Sequence, residues 1–102
     1  MAILRHKFRA KPCTEDDIKF SSQKERQRYR ELKLLKKSGE ILFFLRQVPF
    51  HLQAGVKYVC DYLIFWTNGE VTIEDVKGVK TDMYILKKKM VEATYPITIT
   101  EI

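Results

Sequence analysis

An α/β domain, with a hairpin-built sheet flanked by helices, is the fold class this sequence predicts. Three observations carry it. The signature Ser22-x-x-Glu25 opens an amphipathic run that Gly39 closes, which marks a helix. Two β-rich runs, residues 56–66 and 71–77, flank Asn68-Gly69, a strong hairpin turn. A second amphipathic run begins at Thr81 or Asp82 and is stopped by Pro96, after which Ile97-Thr98-Ile99-Thr100 is a β-branched strand. The order is helix, three strands, helix, strand.

Along the chain, Arg5, Lys7, Arg9 and Lys11 place positive charge at alternate positions. Extended, they form a basic comb; otherwise they belong to a solvated tail. Residues 1–19 read as a basic N-terminal arm and residues 20–102 as one domain. Glu15-Asp16-Asp17 reverses the sign of the charge ahead of Ile18 and Phe20. In the first helix, expected over residues 23–37, the stripe Glu25, Tyr29, Leu32, Leu35 faces inward, and the rest of the surface is basic. Residues 41–52 are mainly apolar and interrupted by Pro49, as in an edge or bulged strand. Gln53-Ala54-Gly55 offers a turn, and Gly78 closes the third strand. The second helix is expected to bury Met83, Leu86, Met90 and Ala93.

Composition bounds the function. At 102 residues the chain supports one core, and the 45% hydrophobic and 12% aromatic content describes an ordered domain rather than a tail. A net charge of +6 favours a polyanionic partner. Cys13 and Cys60 lack metal-ligand spacing, so a disulfide framework is not expected and a reducing cytoplasmic setting is the plain reading. No apolar run approaches the roughly 20 residues that span a bilayer. Charge soon interrupts Met1-Ala2-Ile3-Leu4-Arg5, so it does not read as a signal peptide.

The chemistry concentrates between Asp61 and Lys77. Asp75 and Lys77 stand two apart in Asp75-Val76-Lys77, so an extended strand sends both side chains to one face. A carboxylate there can hold a divalent cation, and the ammonium beside it can polarise a water or a phosphate oxygen. Asp61 interrupts an otherwise apolar strand, where a carboxylate costs free energy unless it is paired or metal-bound. An ordinary ion pair at a strand end is the plainer reading of Asp75 and Lys77. Glu74 points to the opposite face and becomes a ligand only if the register slips by one. Glu25 reads either as the reciprocal partner in the capping box or as an inward-facing acid.

Lys24, Arg28, Lys80, Lys87 and Lys88, with Arg5, Lys7 and Arg9 of the arm, are candidates to track a phosphate backbone, or simply solvated faces. Gln47 and Gln53 have the chemistry for a nucleic-acid contact. Tyr62 and Trp66 read as core, and the isolated His6 and His51 require no catalytic role.

The element order and these acids resemble the PD-(D/E)xK nuclease superfamily, the restriction-endonuclease-like fold with its αβββαβ core and mixed sheet. The likeness covers roughly residues 20–102. More narrowly, the segments Phe20-Ser21-Ser22-Gln23-Lys24-Glu25, Tyr29-Arg30-Glu31-Leu32, Val56-Lys57-Tyr58-Val59-Cys60-Asp61 and Glu74-Asp75-Val76-Lys77-Gly78-Val79-Lys80-Thr81 resemble a family of small phage and prophage proteins. That family, described only as a domain of unknown function, itself resembles Holliday-junction resolvases.

The resemblance implies Asp61 and Asp75 as metal ligands, the Val76 carbonyl as a further one, and Glu25 as the acid that completes the site. Lys77 would orient or activate the attacking water. The cofactor implied is Mg²⁺ or Mn²⁺. Cys60 stands where the superfamily's namesake proline would precede Asp61, and Asp75 stands where Glu is commoner. The expected protein is thus a metal-dependent DNA endonuclease acting on branched or duplex DNA in the bacterial host cell. Two symmetric cuts in a junction imply a homodimer. A nuclease-like fold that only binds nucleic acid is the alternative.

Overall fold

The computed structural model describes residues 11–102. Within it, Ser22 holds an extended backbone and accepts the Glu25 N–H on its Oγ at 3.0 Å, which starts helix α1 (Gln23–Lys37). The helix ends where Gly39 takes φ +89° and the N–H groups of Gly39 and Glu40 return to the carbonyls of Lys36 and Leu35. Its inward stripe is as expected: Glu25, Tyr29 and Leu32 are buried, with Leu35 at the margin.

Part of the expected N-terminal arm belongs to the domain. Strands β1 (Cys13–Glu15) and β2 (Ile18–Phe20) form a hairpin around Asp16 and Asp17, both at positive φ. Phe20 enters the core, and the acidic turn is drawn onto the basic outer face of α1. Asp16 accepts from Tyr29 Oη at 2.8 Å and from Lys33 Nζ at 2.6 Å, while Arg30 reaches Glu15 at 2.6 Å. The reversal of charge at residues 15–17 is therefore a docking feature. Arg5, Lys7 and Arg9 lie outside the described residues.

The main sheet has the order β3 (Ile41–His51), β4 (Lys57–Trp66), β5 (Val71–Asp75), β6 (Ile99–Glu101). The first two pairings are antiparallel and the last is parallel, with helix α2 (Asp82–Thr94) as the crossover. It is a small α/β domain, a mixed sheet flanked by two helices. Pro49 lies on edge strand β3, where a missing N–H is tolerated. Gln53–Gly55 forms a single 3₁₀ turn. Gly69, at φ +96°, closes the β4–β5 hairpin by donating to the Trp66 carbonyl.

Two cores lie on opposite faces. Tyr29, Leu32 and Phe20 pack with Tyr62 and Ile64 of β4 on the α1 side. Tyr84 and Val91 of α2 pack with Ile73, Ile99, Tyr58 and Cys60 on the other. Strict alternation would put Tyr58, Cys60, Tyr62 and Ile64 on one face. The strand changes sides at Asp61, opposite Gln47, which has φ +53° between the pairs Arg46↔Tyr62 and Val48↔Cys60. This break sits at the suspicious carboxylate itself.

Three expectations are corrected. Strand β5 stops at Asp75 rather than at residue 77, because β4 and β5 part after Tyr62↔Glu74 and the Val76 N–H turns to the Asp61 side chain. The last strand begins at Ile99, with Ile97 packed in the core ahead of it. On α2 the buried residues are Tyr84 and Val91, whereas Met83 is 59% and Leu86 52% exposed. The inward face is rotated by one residue so that Tyr84 can pack its ring and still offer its hydroxyl to Glu101 at 2.7 Å. Among the described residues no helix is long and apolar enough to cross a membrane.

Glu74, buried on the α1 side, is held by Arg28 Nε at 2.8 Å and Nη2 at 2.6 Å, a bidentate pair that ties α1 to β5. Arg28→Ala strands that carboxylate in the core, and urea unfolding should lose about 3 kcal/mol of stability. Unchanged stability would return Arg28 to a purely external role.

Candidate active site

Asp61 stands next to Asp75 because the register that pairs Tyr62 with Glu74 brings the following rung to these two acids. The same rung continues to Glu101 of β6, which pairs with Asp75. Three carboxylates on three neighbouring strands thus occupy one row of the sheet.

Each acid has its own compensation. Asp75, 1% exposed, accepts from Tyr58 Oη on one oxygen and lies 3.2 Å from Lys77 Nζ on the other. Burial pushes its carboxyl up to about 6; the Tyr58 hydrogen bond opposes that, and the neighbouring Asp61 carboxylate adds to it. Asp61, half-buried, takes the Val76 N–H on Oδ2 at 2.7 Å. Lys77 lies just past the strand, yet its N–H reaches the Ile102 carbonyl and its ammonium returns to Asp75. The expected side-by-side placement of Asp75 and Lys77 therefore survives the shorter strand. Lys77 Nζ also sits 4.2 Å from the Tyr84 ring centroid, a cation–π contact.

Glu25 approaches from α1. Its carboxylate does not close the capping box; it accepts from Ser21 Oγ at 2.8 Å and from Arg46 Nη2 at 3.2 Å. The Gln47 amide spans the gap to the strand acid: Nε2 is 3.3 Å from Glu25 Oε2 and 3.1 Å from Asp61 Oδ1. Glu25, Gln47, Asp61, Asp75 and Lys77 form one continuous polar line.

These donors are hard oxygens, the type that suits Mg²⁺ or Mn²⁺, which need only a few protein ligands. Two adjacent carboxylates, one of them with a raised pKa, are an electrostatic demand that a cation relieves. Among the described residues, however, no three His, Cys, Asp or Glu side chains converge to hold a metal ion. Gln47 keeps Glu25 from Asp61.

The residues expected to contact nucleic acid divide. Arg28 is committed to Glu74, Lys80 pairs with Glu101 at 2.8 Å, and Lys88 lies 3.4 Å from it. Together with Tyr84, Lys80 holds the Glu101 carboxyl down at about 2. Lys24 and Lys87 form no ion pair among the described residues. His51 is an exposed member of β3 whose carbonyl accepts from Tyr95.

Sequence reasoning missed Tyr58, Tyr84, Arg46 and Glu101, and did not place Gln47 between Glu25 and Asp61. Tyr58 precedes Asp61 by three residues in a run that reads as core, and only the switch of sides turns its hydroxyl to Asp75.

A family described as "Protein of unknown function (DUF1064)" matches residues 5–101, and the chain belongs to it. No curated protein and no solved structure matches the chain.

The Asp75 carboxyl titrates above its ordinary 3.8 in the folded protein, so folding takes up a proton between that value and about 6. Its contribution to stability is full below pH 3.8 and is lost as pH rises through 6. Asp75→Asn should therefore stabilise the protein in EDTA at pH 8, by no more than about 3 kcal/mol. The gain should shrink towards pH 4. Denaturation curves across that range check it, and a gap that does not vary with pH would place the raised titration elsewhere.

Proposed function

We propose that this chain is a metal-dependent endonuclease of the PD-(D/E)xK type that hydrolyses phosphodiester bonds in DNA. The observation that carries the reading is the Asp61–Asp75 pair with Lys77 beside it, at the point where β4 and β5 part. The αβββαβ order and the resemblance in motif support it. The branched-DNA substrate, a two-fold dimer and a phage source rest on the resemblance alone, and a place in the host cytoplasm on it and on the cysteine usage.

Asp61 and Asp75 would hold the cation, with the Val76 carbonyl and Glu25 as the further ligands that the resemblance assigns. The ion, when bound, lowers the pKa of a water and offsets charge on the phosphate. Lys77 donates to the attacking water or to a non-bridging phosphate oxygen, and the contact with Asp75 keeps its ammonium over the site. Tyr58 fixes the Asp75 carboxylate, and Arg46 balances the buried charge of Glu25. Gln47 orients Asp61 and Glu25 together and must rearrange if Glu25 is to join the ion.

The separation of Glu25 from Asp61 favours the second reading, a nuclease-like module that binds nucleic acid and does not cut. One assay separates the two. A labelled four-way junction, a linear duplex and a single strand are incubated with Mg²⁺, Mn²⁺ or EDTA. Junction cutting that needs metal and is abolished by Asp61→Ala or Asp75→Ala is the expected result. Lys77→Ala should slow turnover by about 10²–10⁴-fold with the fold intact. Full turnover by a folded Asp75→Ala variant would remove the site from the reaction, and shifted but uncut bands in every metal would establish the module.

A further inference from the structure

A pocket of about 370 Å³ opens beside the acids, lined by Lys57, Tyr58, Val59, Lys77, Thr81, Met83, Tyr84 and Lys87. That volume falls in the range of about 300–1,000 Å³ typical of small-ligand sites. Three of the eight lining residues are lysines and none is acidic. Lys57 and Lys87 make no ion pair among the described residues, whereas Lys77 is already engaged by Asp75. Uncompensated ammoniums around a concavity raise its affinity for an anion.

The start of α2 also lines the pocket. Thr81 caps the 13-residue α2, and its Oγ satisfies only the Tyr84 N–H. The Met83 N–H precedes the first intrahelical bond and Met83 lines the pocket, so the positive end of the helix lies beside it. The Asp82 side chain, in the same turn, is not part of the lining. Tyr58 and Tyr84, both nearly buried, and Met83 give the cavity apolar walls. Among the described residues the neighbouring Glu101 cluster, by contrast, is internally neutralised by Lys80, Lys88 and Tyr84.

We infer that this pocket is a phosphate-binding subsite, which takes a phosphate group of the nucleic-acid strand next to the bond held at Asp61 and Asp75. Lys57 and Lys87 hold the phosphate oxygens, and Lys77 forms the wall shared with the acids. The inference rests on the proposed function for nucleic acid as the source of the phosphate, but the binding it describes needs no metal and no cleavage. The phosphate is either an internal diester or a terminal 5′ monoester, and the two are told apart by the probe.

The test measures fluorescence anisotropy of a 3′-labelled single-stranded 12-mer, with a 5′-phosphate or a 5′-hydroxyl, bound to the full chain in EDTA over a range of salt. Lys57→Gln/Lys87→Gln is compared with Lys36→Gln/Lys37→Gln, which removes the same charge from the far end of α1. The pocket variant should bind on the order of tenfold more weakly, with its log–log salt slope reduced by about 0.7 for the one phosphate lost. The control should match the wild type. A loss on both probes assigns an internal phosphate, and a loss on the 5′-phosphate probe alone assigns a terminal one. Wild-type affinity in the pocket variant overturns the inference, as does an equal loss in the control, which would show only bulk charge. Thermal unfolding of both variants confirms that they fold. Absence of cutting in every metal, with binding still dependent on the pocket, sinks the nuclease reading and leaves the subsite standing.

Discussion

Two carboxylates side by side in a sheet, Asp61 on β4 and Asp75 on β5, are the constraint from which the surrounding structure follows. Like charges at that separation resist ionising together, and a buried acid loses its hydration. Every neighbour answers this problem. Tyr58 gives Asp75 a hydroxyl donor, Lys77 gives it a positive charge, and Asp61 takes a backbone N–H from Val76 and an amide hydrogen from Gln47. The Val76 bond replaces a rung of the ladder, so β5 ends early. The αL backbone of Gln47 brings its amide to the same spot. Such local departures from regular geometry persist where the surroundings over-determine them, and they cluster at functional sites.

Two further acid–base systems flank that centre. Arg28 with Glu74 ties α1 to the sheet, and Lys80 and Lys88 with Glu101 and Tyr84 tie α2 to β6. Other cations of the described surface, among them Lys24, Lys36, Lys37, Lys57 and Lys87, form no ion pair there. What matters is placement: Lys57, Lys87 and the shared Lys77 ring one cavity, and the exposed lysines of α1 lie elsewhere.

The chain made its local structure legible where one residue had one job. Ser22 and Gly39 marked the ends of α1, and Asn68-Gly69 marked the hairpin, because caps and tight turns are decided by a few neighbouring atoms. Asp61, Asp75 and Lys77 stood out because charge in an apolar run needs a reason. Residues with two jobs were harder to read. Tyr84 packs against the sheet and also holds Glu101, so the inward face of α2 follows the aromatic ring rather than the stripe of Met83 and Leu86. Glu25 carries the signature of a capping box but spends its carboxylate on Arg46 and Gln47. The acids at residues 15–17 showed only as a reversal of charge, because the partners of Glu15 and Asp16 on α1 are 13 to 17 residues away. No pattern of alternation reveals a strand that changes faces in mid-run.

Lys77 joins the two halves of the proposed chemistry. Its ammonium touches Asp75, rests on the Tyr84 ring and lines the basic pocket. One charge cannot fully neutralise a buried carboxylate and a phosphate at once, so the two compete for it. A cation between Asp61 and Asp75 would settle that competition by taking over the compensation of Asp75 and releasing Lys77 towards the substrate. Without such a cation, Lys77 is held by its own site and the anion must rely on Lys57, Lys87 and the start of α2. The two lysines without carboxylate partners thus suit first capture of a strand, and the paired one suits the later step at the scissile phosphate. The same logic explains why a lysine in this position is worth burying beside a carboxylate: its position is fixed before either partner arrives, and fixed charge needs little reorganisation when it acts.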